Sequence, residues 1–140
     1  MIVVELVESP IIPFQSSNDH KEKGSELIFN GRVRETEHGE KITCLEYEQY
    51  EGMAEKELQN IANETQNKFP VDDIFCRHRI GVVEVGEASL HVSIWSKHRK
   101  EGLDAMSYFI IELKKRVPIW KWAILDSGKK IPSECKHEYH

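Results

Sequence analysis

Apolar residues along the chain follow two spacings, one typical of strands and one typical of helices. Residues 1–7 alternate weakly and predict an edge strand, and residues 26–50 predict two strands with a hairpin turn at His38-Gly39. Residues 74–95 predict two more strands. In the second of these, apolar residues alternate with serines and a histidine, so we expect one face of this strand to be buried.

Two segments carry the helical spacing of three and four residues. The first begins after Gly52 and ends before Pro70, because proline cannot continue a helix. The second runs from about Lys100 to Arg116, and its apolar stripe is expected to pack on the sheet. The stripe positions are Ala54, Leu58, Ile61, Thr65 and Phe69 in the first helix and Leu103, Met106, Ile110, Leu113 and Val117 in the second. The order β-β-α-β-β-α with short links predicts an α+β fold with a largely antiparallel sheet.

Length and composition are typical of a globular protein. The chain has 140 residues, most simply one domain, and is 39% hydrophobic and 31% charged. No apolar run approaches the roughly 18 residues that a membrane span needs, and the N-terminus lacks the basic start and long apolar core of a signal peptide. Cys44, Cys76 and Cys135 are widely spaced, so we expect reduced thiols in a cytoplasmic protein.

Positive charge is concentrated in one segment of an acidic chain. The formal net charge is −5, yet residues 97–121 contain seven Lys or Arg and only three Asp or Glu, a local charge of +4. A local positive site of this kind indicates a small anionic ligand or a carboxylate tail, whereas a nucleic-acid surface would more often make the whole domain basic. We therefore expect neither nucleic acid nor membrane among the partners.

Three consecutive basic residues end the second predicted helix, and a helical wheel separates them. At about 100° per residue, Lys114 falls about 60° from the centre of the apolar stripe, Arg116 about 100° and Lys115 about 160°. We therefore expect Lys114 at the core boundary, where partial desolvation would disfavour its ammonium form and allow proton exchange near neutral pH. Pro118 ends the helix and turns Lys121 back toward the same end. The alternative is that Lys114 only extends along the apolar edge into solvent.

Six short motifs occur in one order along the chain. They are F-N-G-R-V-R (29–34), L-E-Y-E-x-Y-x-x-M-A (45–54), H-R-I-G (78–81), V-G-E (85–87), K-H-R (97–99) and L-K-x-x-V-P-I-W-K (113–121). Each motif alone is weakly specific. Together, in this order and spacing, they resemble the catalytic (large) subunit family of molybdopterin synthase. The resemblance covers residues 24–121, which is most of the chain.

The resemblance implies an α/β hammerhead-type fold with an additional antiparallel β subdomain. It implies one domain over residues 1–140, with residues 1–23 as a variable N-terminal strand and loop and residues 124–140 as a variable C-terminal tail. It also implies a homodimer at the centre of a heterotetramer, with a small ubiquitin-like sulfur-carrier subunit at each end.

In the family that the chain resembles, the C-terminal Gly-Gly of the small subunit carries a thiocarboxylate. Two sulfurs are transferred in turn to cyclic pyranopterin monophosphate, which gives molybdopterin in molybdenum cofactor biosynthesis. The resemblance therefore implies a sulfurtransferase that needs no metal and no organic cofactor for its own chemistry. The positive segment would receive a phosphate, a pterin and an anionic tail.

Matching the family position by position implies a substrate pocket with Lys114 and Lys121 as the catalytic residues. Lys114 would transfer protons as sulfur adds and the glycine carboxylate leaves, and Lys121 would stabilise developing negative charge. Arginines suit the phosphate because a guanidinium group binds it bidentately. The implied substrate-binding residues are Arg32, Val33, Arg34, His98, Arg99, Lys114, Lys121, Trp122 and Ala123.

Trp122 and Ala123 depart from the family pattern, which has a basic residue and then a glutamate after the matching lysine. The alternative function is therefore a non-catalytic paralogue that binds the small subunit or a pterin phosphate. The presence of Arg34, Lys114 and Lys121 favours the enzyme, because a copy without activity would lose such costly polar groups first. An RNA-binding module is disfavoured by the acidic sequence pI of about 5.8.

The remaining histidines do not indicate a metal site. Alternation along the strand sends His78 opposite to Arg77 and Arg79, so we expect these three residues to have a structural role. His38 and His91 have no ligand spacing, and the terminal histidines lie in a polar tail. A zinc site is therefore not expected.

Overall fold

The computed structural model describes residues 1–14 and 20–133. Within these ranges the chain forms two sheets and two helices. The elements are β1 Ile2–Val7, β2 Ser25–Arg32, β3 Thr36–Glu37, β4 Glu40–Gln49, α1 Met53–Lys68, β5 Val71–Arg79, β6 Gly81–Glu84, β7 Ala88–Ser96, α2 Arg99–Arg116, β8 Ile119–Leu125 and β9 Lys130–Pro132.

The first sheet has the strand order β1-β5-β7-β2. β1 lies at one edge and runs parallel to β5, which confirms the predicted edge strand, and the other pairs are antiparallel. Both helices pack on this sheet and enclose the larger apolar core, because each turns one apolar stripe toward it. α1 buries the predicted positions Ala54, Leu58, Ile61 and Thr65.

The second sheet is antiparallel, with the strand order β3-β4-β8-β9 and with β6 also paired to β4. His38 and Gly39 make the turn between β3 and β4, as predicted, and both have positive φ, 52° and 80°. β8 and β9 were not predicted as strands. The two helices and the two mainly antiparallel sheets confirm the predicted α+β class. A second core lies on one face of the second sheet. Its buried residues are Val33, Ile42, Leu45, Tyr47, Val83, Ala123 and Leu125.

β7 is buried on both faces, so the prediction of a single buried face was wrong. The helices cover one face, and the chain that precedes β2 covers the other. Phe14 stacks on Phe75 and lies 6.0 Å from the His91 ring, and His20 stacks on Trp95 with 3.8 Å between ring centroids. Alternation within one strand cannot reveal this covering segment, because the segment is distant in sequence.

α2 packs on the core through most of the predicted stripe, since Leu113 and Val117 are buried and Met106 and Ile110 pack against the core, but the centre of its buried face is shifted. Its buried residues are Gly102, Ala105, Phe109 and Leu113. Leu103 is 55% exposed, and the buried stripe is rotated by roughly 75° from the predicted one at 100° per residue. Gly102 allows a close approach to the sheet, since a Cβ there would lie 2.9 Å from Ser96 Oγ and 3.1 Å from Leu27 Cδ1. In the described ranges, neither helix combines the length and apolar character needed to cross a bilayer.

Arg116 joins the two helices. Its guanidinium group donates to Glu57 and Glu64 of α1 at 2.7 and 2.6 Å, and to Glu112 of α2 at 3.3 Å. The rotation of the stripe explains this placement, because it brings Arg116 to about 25° from the centre of the buried face instead of 100°. Arg116 therefore has a structural role between helices.

Replacing Gly102 with leucine is expected to destabilise the fold by about 1–3 kcal/mol, because the added side chain must displace Ser96 or Leu27 from a packed contact. Ser107→Leu places the same side chain on the exposed face of α2 and should change the free energy of unfolding by at most about 0.5 kcal/mol. Urea unfolding measures both. Equal stability of the two variants would contradict the close approach of α2 to the sheet.

Candidate functional site

Lys114 and Lys121 lie on either side of a tight turn that joins the two parts of the fold. Lys114 is in the last turn of α2, and Lys121 is the third residue of β8. Val117 caps the helix with its N–H donating to Leu113 O at 3.0 Å, and the Tyr50 N–H donates to Pro118 O at 3.0 Å. The turn is therefore anchored both to the helix and to the end of β4.

The pairing of β4 with β8 determines where Lys121 points. In this ladder Lys121 is opposite Tyr47, and Trp122 is opposite Glu46. Because neighbouring residues of a strand point to opposite faces, Lys121 leaves β8 on the face that carries Tyr47 and the second core. Lys121 is half-buried there.

His78 is a buried histidine at the centre of this region. Its Nδ1 lies 2.8 Å from Arg79 O, and its ring meets the Tyr47 ring edge-on at 5.2 Å. Burial lowers the pKa of His78 to about 4, the bond to Arg79 O opposes this shift, and the positive charges of Lys114 and Lys121 add to it. Both lysines therefore act on the same buried ring, although they belong to different elements.

A short chain of hydrogen bonds links this region to the end of β2. The Tyr47 hydroxyl donates to Ser89 Oγ at 3.1 Å, and the Ser89 hydroxyl donates to Gly31 O at 3.4 Å. Tyr47 and Ser89 are both buried. The segment that follows Gly31 is thereby held next to the region of the two lysines.

Arg32, Val33 and Arg34 leave the first sheet at a break in strand register after Gly31. Val33 enters the second core and is 3% exposed. The Arg32 guanidinium group donates to Gly86 O at 2.9 Å, and Arg34 is exposed with Nη2 3.6 Å from Glu37 Oε2. The two arginines flank a buried valine, so Val33 contributes the anchor of this segment and the arginines contribute the charge.

His98 and Arg99 lie at the opposite end of the first sheet from Arg32. Ser25 pairs with Ser96, whereas Arg32 pairs with Ala88, so the two ends of the ladder are about 26 Å apart at ~3.3 Å per residue. Along α2, Arg99 and Lys114 are separated by about 22 Å at 1.5 Å per residue. A single chain therefore does not bring His98 and Arg99 to the lysines.

Lys114 is exposed in the chain, so its predicted place at the core boundary was wrong. The physical reason is the rotation of the buried stripe of α2, which moves Lys114 to about 135° from its centre. Lys115 is also exposed, and its Nζ lies 4.0 Å from Glu112 Oε2. The two lysines do not differ in exposure class. They differ in that the charge of Lys114 contributes to the lowered pKa of His78.

Trp122 and Ala123 follow Lys121 on β8 and leave it on opposite faces. Trp122 is on the outer face of β8, where its Nε1 and the Nε1 of Trp120 both donate to Glu48 Oε1. These bonds, that from Trp122 first, lower the pKa of the Glu48 carboxyl. Ala123 is fully buried in the second core. Ala123 therefore lies on the same face as Lys121 and Trp122 on the other, and their part in substrate binding stays a prediction.

Sequence reasoning missed the part of His78 and Tyr47 in this region. Both belong to motifs that carry the resemblance, H-R-I-G and L-E-Y-E. The burial of His78 and its bond to Arg79 O agree with the structural role that was expected of it. Arg79 does have the structural role that was expected, since it donates to Glu87 and Val82 O at 3.1 and 2.9 Å. Across residues 1–14 and 20–133, no cluster of three His, Cys, Asp or Glu could hold a metal ion.

Comparisons with known proteins give the family. The family model described as MoaE protein matches residues 7–116. The molybdopterin synthase catalytic subunit of Pyrococcus abyssi is 43% identical over 106 residues, covering 76% of this chain and 72% of that relative. The X-ray crystal structure of molybdopterin synthase from Staphylococcus aureus matches with a TM-score of 0.79 at 36% identity, covering 90% of this chain and 93% of that chain.

A more distant structure has the same fold. It is the complex of subunits 1 and 2 of molybdopterin-converting factor from Helicobacter pylori, with a TM-score of 0.73 at 21% identity, covering 98% of this chain and 92% of that chain. At this identity the likeness concerns the fold alone. Together with the structure from Staphylococcus aureus, it confirms the predicted hammerhead-type α+β fold.

The fold and the relatives define a class of enzyme subunit that catalyses sulfur transfer in molybdenum cofactor biosynthesis. The chain belongs to the MoaE family, the molybdopterin synthase catalytic subunits. This confirms the family and the enzyme class that the six motifs predicted.

Acidification is expected to destabilise the fold through His78. Its pKa is about 4 in the fold and 6.5 ordinarily, so between these values only the unfolded chain takes up this proton. The contribution of His78 to stability is therefore lost as pH falls from 6.5 to 4, by up to about 3 kcal/mol. His78→Gln cannot take up the proton and should lose less stability on acidification than wild type.

Urea unfolding at neutral pH and near pH 4.5 tests this expectation. His98→Gln is the matched control, because it removes an exposed histidine from the same chain. This control should follow the wild-type pH dependence. Parallel pH dependence of wild type and His78→Gln would show that His78 is not buried in its neutral form.

Proposed function

We propose that the chain transfers sulfur from the thiocarboxylated C-terminal Gly-Gly of a small ubiquitin-like subunit to cyclic pyranopterin monophosphate. Two such transfers give molybdopterin. Membership of the family supports the reaction class. The substrate, the thiocarboxylate and the roles of individual residues are carried over from the resemblance and from the chemistry of the site.

The placement of Lys114 at the end of α2 and of Lys121 near the start of β8, on either side of one anchored turn, is the observation that supports the proposal most. Two ammonium groups from different elements produce a concentrated positive potential at the junction of the two sheets. A thiocarboxylate tail and a phosphate are both anions, so this potential would favour their binding. The chain as a whole has a formal net charge of −5, so this positive site is opposite in sign to the rest of the chain.

The two lysines suit the two charge changes in the reaction. The thiocarboxylate sulfur adds to the substrate, and water then attacks the acyl carbon of the tail and breaks its bond to sulfur. The tail is released as a glycine carboxylate, and a fixed cation stabilises the negative charge that develops. We assign this role to Lys121, because the β4–β8 ladder holds its backbone. Lys114 exchanges the proton, since an ammonium can donate one and the resulting amine can accept one.

The arginines and His98 would bind the phosphate of the substrate from two chains. Arg32 and Arg34 lie on the lysine side of one chain, whereas His98 and Arg99 lie about 22 Å away along α2. We therefore assign His98 and Arg99 of a second copy to the same pocket, in a homodimer. Guanidinium groups suit this role, because they bind phosphate bidentately.

A small-subunit partner is supported by the structure from Helicobacter pylori, which is a complex of two different subunits of molybdopterin-converting factor. For this chain we propose a heterotetramer of two catalytic and two small subunits. We also propose a cytoplasmic location, because Cys44 and Cys76 are buried free thiols rather than a disulfide.

The alternative, a non-catalytic paralogue, depended on Trp122 and Ala123. Trp122 is bound to Glu48 on the outer face of β8, and Ala123 is enclosed in the second core. The departure from the family pattern therefore leaves Lys121 on its ladder opposite Tyr47. This placement favours the enzyme over the binding module.

Reconstitution tests the proposed reaction. The purified chain, thiocarboxylated small subunit and cyclic pyranopterin monophosphate are mixed, and molybdopterin is measured as its fluorescent oxidised derivative. Lys114→Ala should abolish most sulfur transfer while the small subunit remains bound on gel filtration. Lys114→Arg should also fail, because a guanidinium group does not release its proton near neutral pH.

Lys115→Ala is the matched control for this reconstitution, since Lys115 is exposed in the same helical turn. We expect nearly wild-type activity for this variant. Equal losses in Lys114→Ala and Lys115→Ala, or full activity of Lys114→Arg, would make Lys114 only one more positive charge. No molybdopterin with wild-type chain would favour the non-catalytic paralogue.

Subunit complementation tests the two-chain pocket. Arg99→Ala and Lys114→Ala should each be inactive as homodimers. After subunit exchange in a mixture of equal parts, half of the dimers carry one wild-type pocket of two, so activity should recover to about a quarter of wild type. Absence of recovery, with exchange verified by native mass spectrometry, would place Arg99 and Lys114 in one chain's pocket or outside it.

A further inference from the structure

We propose that the unpaired edge of β2 and the adjoining flank of α2 bind a second copy of this chain, with β2 antiparallel to β2 of that copy. The two four-stranded sheets then form one continuous sheet of eight strands. This inference rests on the proposed two-chain pocket for its effect on sulfur transfer. The pairing itself can be measured without that reaction.

β2 is an edge strand. Among the residues that the structure describes, it pairs with β7 alone, so its other edge is unpaired. Gly24 N–H donates to Lys97 O, beyond the end of β7, and the direction of backbone groups alternates along a strand, so Leu27 and Phe29 turn theirs to the unpaired edge. Lysine or proline often protects such an edge from other chains, but the eight residues Ser25–Arg32 contain neither. β2 can therefore pair with another strand.

Ile28 is an exposed apolar residue at the middle of this edge. Leu27 faces α2, since its Cδ1 lies 3.1 Å from the position of a Cβ on Gly102. Ile28 therefore points to the opposite face of the sheet, where it is 51% exposed. If β2 pairs with its copy about a two-fold axis at Ile28, the two Ile28 side chains lie opposite each other and cover one another. The same register places Glu26 diagonal to Arg32 of the second copy, which is an attractive pair of charges.

The flank of α2 that faces away from α1 is also apolar. α1 lies over β1 and β5, and α2 lies over β7 and β2, so this flank is next to the unpaired edge. Tyr108, on the other flank, donates to Glu64 of α1 at 3.5 Å. Leu103, Met106 and Ile110 fall on the flank away from α1, about 55–115° from the centre of the buried face at 100° per residue. Leu103 is 55% exposed and the other two are partly buried, so the same flank of a second α2 would cover all three.

One two-fold axis suits both elements. Gly102 lies over β2 between Ser25 and Leu27, because a Cβ there would be 3.5 Å from Ser25 Oγ and 3.1 Å from Leu27 Cδ1. From the middle of these two residues to Ile28 is a distance of about 6.6 Å, at ~3.3 Å per residue of strand. α2 follows β7 and runs back along it in the direction of β2, so the same distance is about four residues of helix at ~1.5 Å each. The axis therefore passes α2 near Met106, at the middle of its apolar flank.

This axis also brings the two halves of the proposed pocket together. Antiparallel pairing places Arg32 of one chain beside Gly24 of the other, whose N–H donates to Lys97 O at 3.2 Å. The N-terminal end of α2 of that second chain follows directly. Along the paired helices, Arg99 of one copy is level with Lys114 of the other, since they lie about seven and eight residues on either side of the axis. The contact therefore supplies the residues that one chain holds too far from its lysines.

A disulfide across the axis tests the register. Opposite residues of antiparallel strands have Cα atoms about 4.5–5.5 Å apart, a separation that a disulfide spans. In a Cys135→Ser background, where the remaining Cys44 and Cys76 are buried, Ile28→Cys should oxidise to a covalent dimer on a non-reducing gel. Val82→Cys is the matched control, because Val82 is 47% exposed on the second sheet, and it should give no covalent dimer. Absence of the Ile28→Cys dimer, or equal cross-linking of the control, would overturn the proposal.

Opposite charges test the same contact without a covalent bond. Ile28→Lys and Ile28→Glu should each be monomers of 16.3 kDa by light scattering, because like charges would lie opposite each other across the axis. An equal mixture of the two should form a heterodimer of twice this mass. Leu103→Glu should weaken the wild-type dimer through α2, and Val82→Lys should leave it intact. A dimer of Ile28→Lys alone, or no heterodimer in the mixture, would overturn the proposal.

Activity distinguishes this contact from the proposed function. Ile28→Lys and Ile28→Glu alone should lose most molybdopterin formation, and their mixture should regain at least about half of the wild-type rate, because both of its pockets are complete. If wild-type chain forms no molybdopterin, the proposed function fails, and cross-linking and light scattering still decide the contact. If Ile28→Lys does not fold, the Ile28→Cys disulfide decides. Full activity of monomeric Ile28→Lys would overturn the claim that this contact completes the pocket.

Discussion

The antiparallel pairing of β8 with β4 is the constraint on which the site depends. It begins at the bond from Tyr50 N–H to Pro118 O and continues to the pair of Tyr47 and Lys121. A ladder fixes register, and a shift of one residue exchanges the two faces of a strand. Such a shift would turn Trp120 or Trp122 toward the second core and Lys121 outward. The register of β8 therefore determines whether the two lysines share one region.

Burial of His78 is compatible with stability because the ring is neutral. A buried polar group is costly unless it is hydrogen-bonded, and here Arg79 O accepts from His78 while Ser89 accepts from Tyr47. The positive charge stays on lysines, of which Lys114 is exposed and Lys121 half-buried. The charged groups of this region are therefore exposed or half-buried, and its fully enclosed polar groups are uncharged.

The sequence predicted most elements of the fold, because periodicity reports which side of an element is apolar. It misplaced the centre of the buried face of α2, since Gly102 and Ala105 are buried there but, being small, add little to an apolar pattern. It failed for β7, because the chain before β2 covers the second face with Phe14 and His20. The motifs indicated Lys114 and Lys121, but the contact of His78 with Tyr47 joins two sheets and depends on tertiary packing, which no local pattern contains.

The basic segment 97–121 is not one site within one chain. α2 separates its charges into a group at the N-terminal end, with His98 and Arg99, and a pair at the C-terminal end, with Lys114 and Lys121. A helix of this length keeps the two groups about 22 Å apart, beyond the Debye length of about 8 Å at physiological ionic strength. Neither group therefore strengthens the potential of the other within the chain. A two-fold axis would bring opposite ends of two helices together, so the same segment could supply both halves of each pocket.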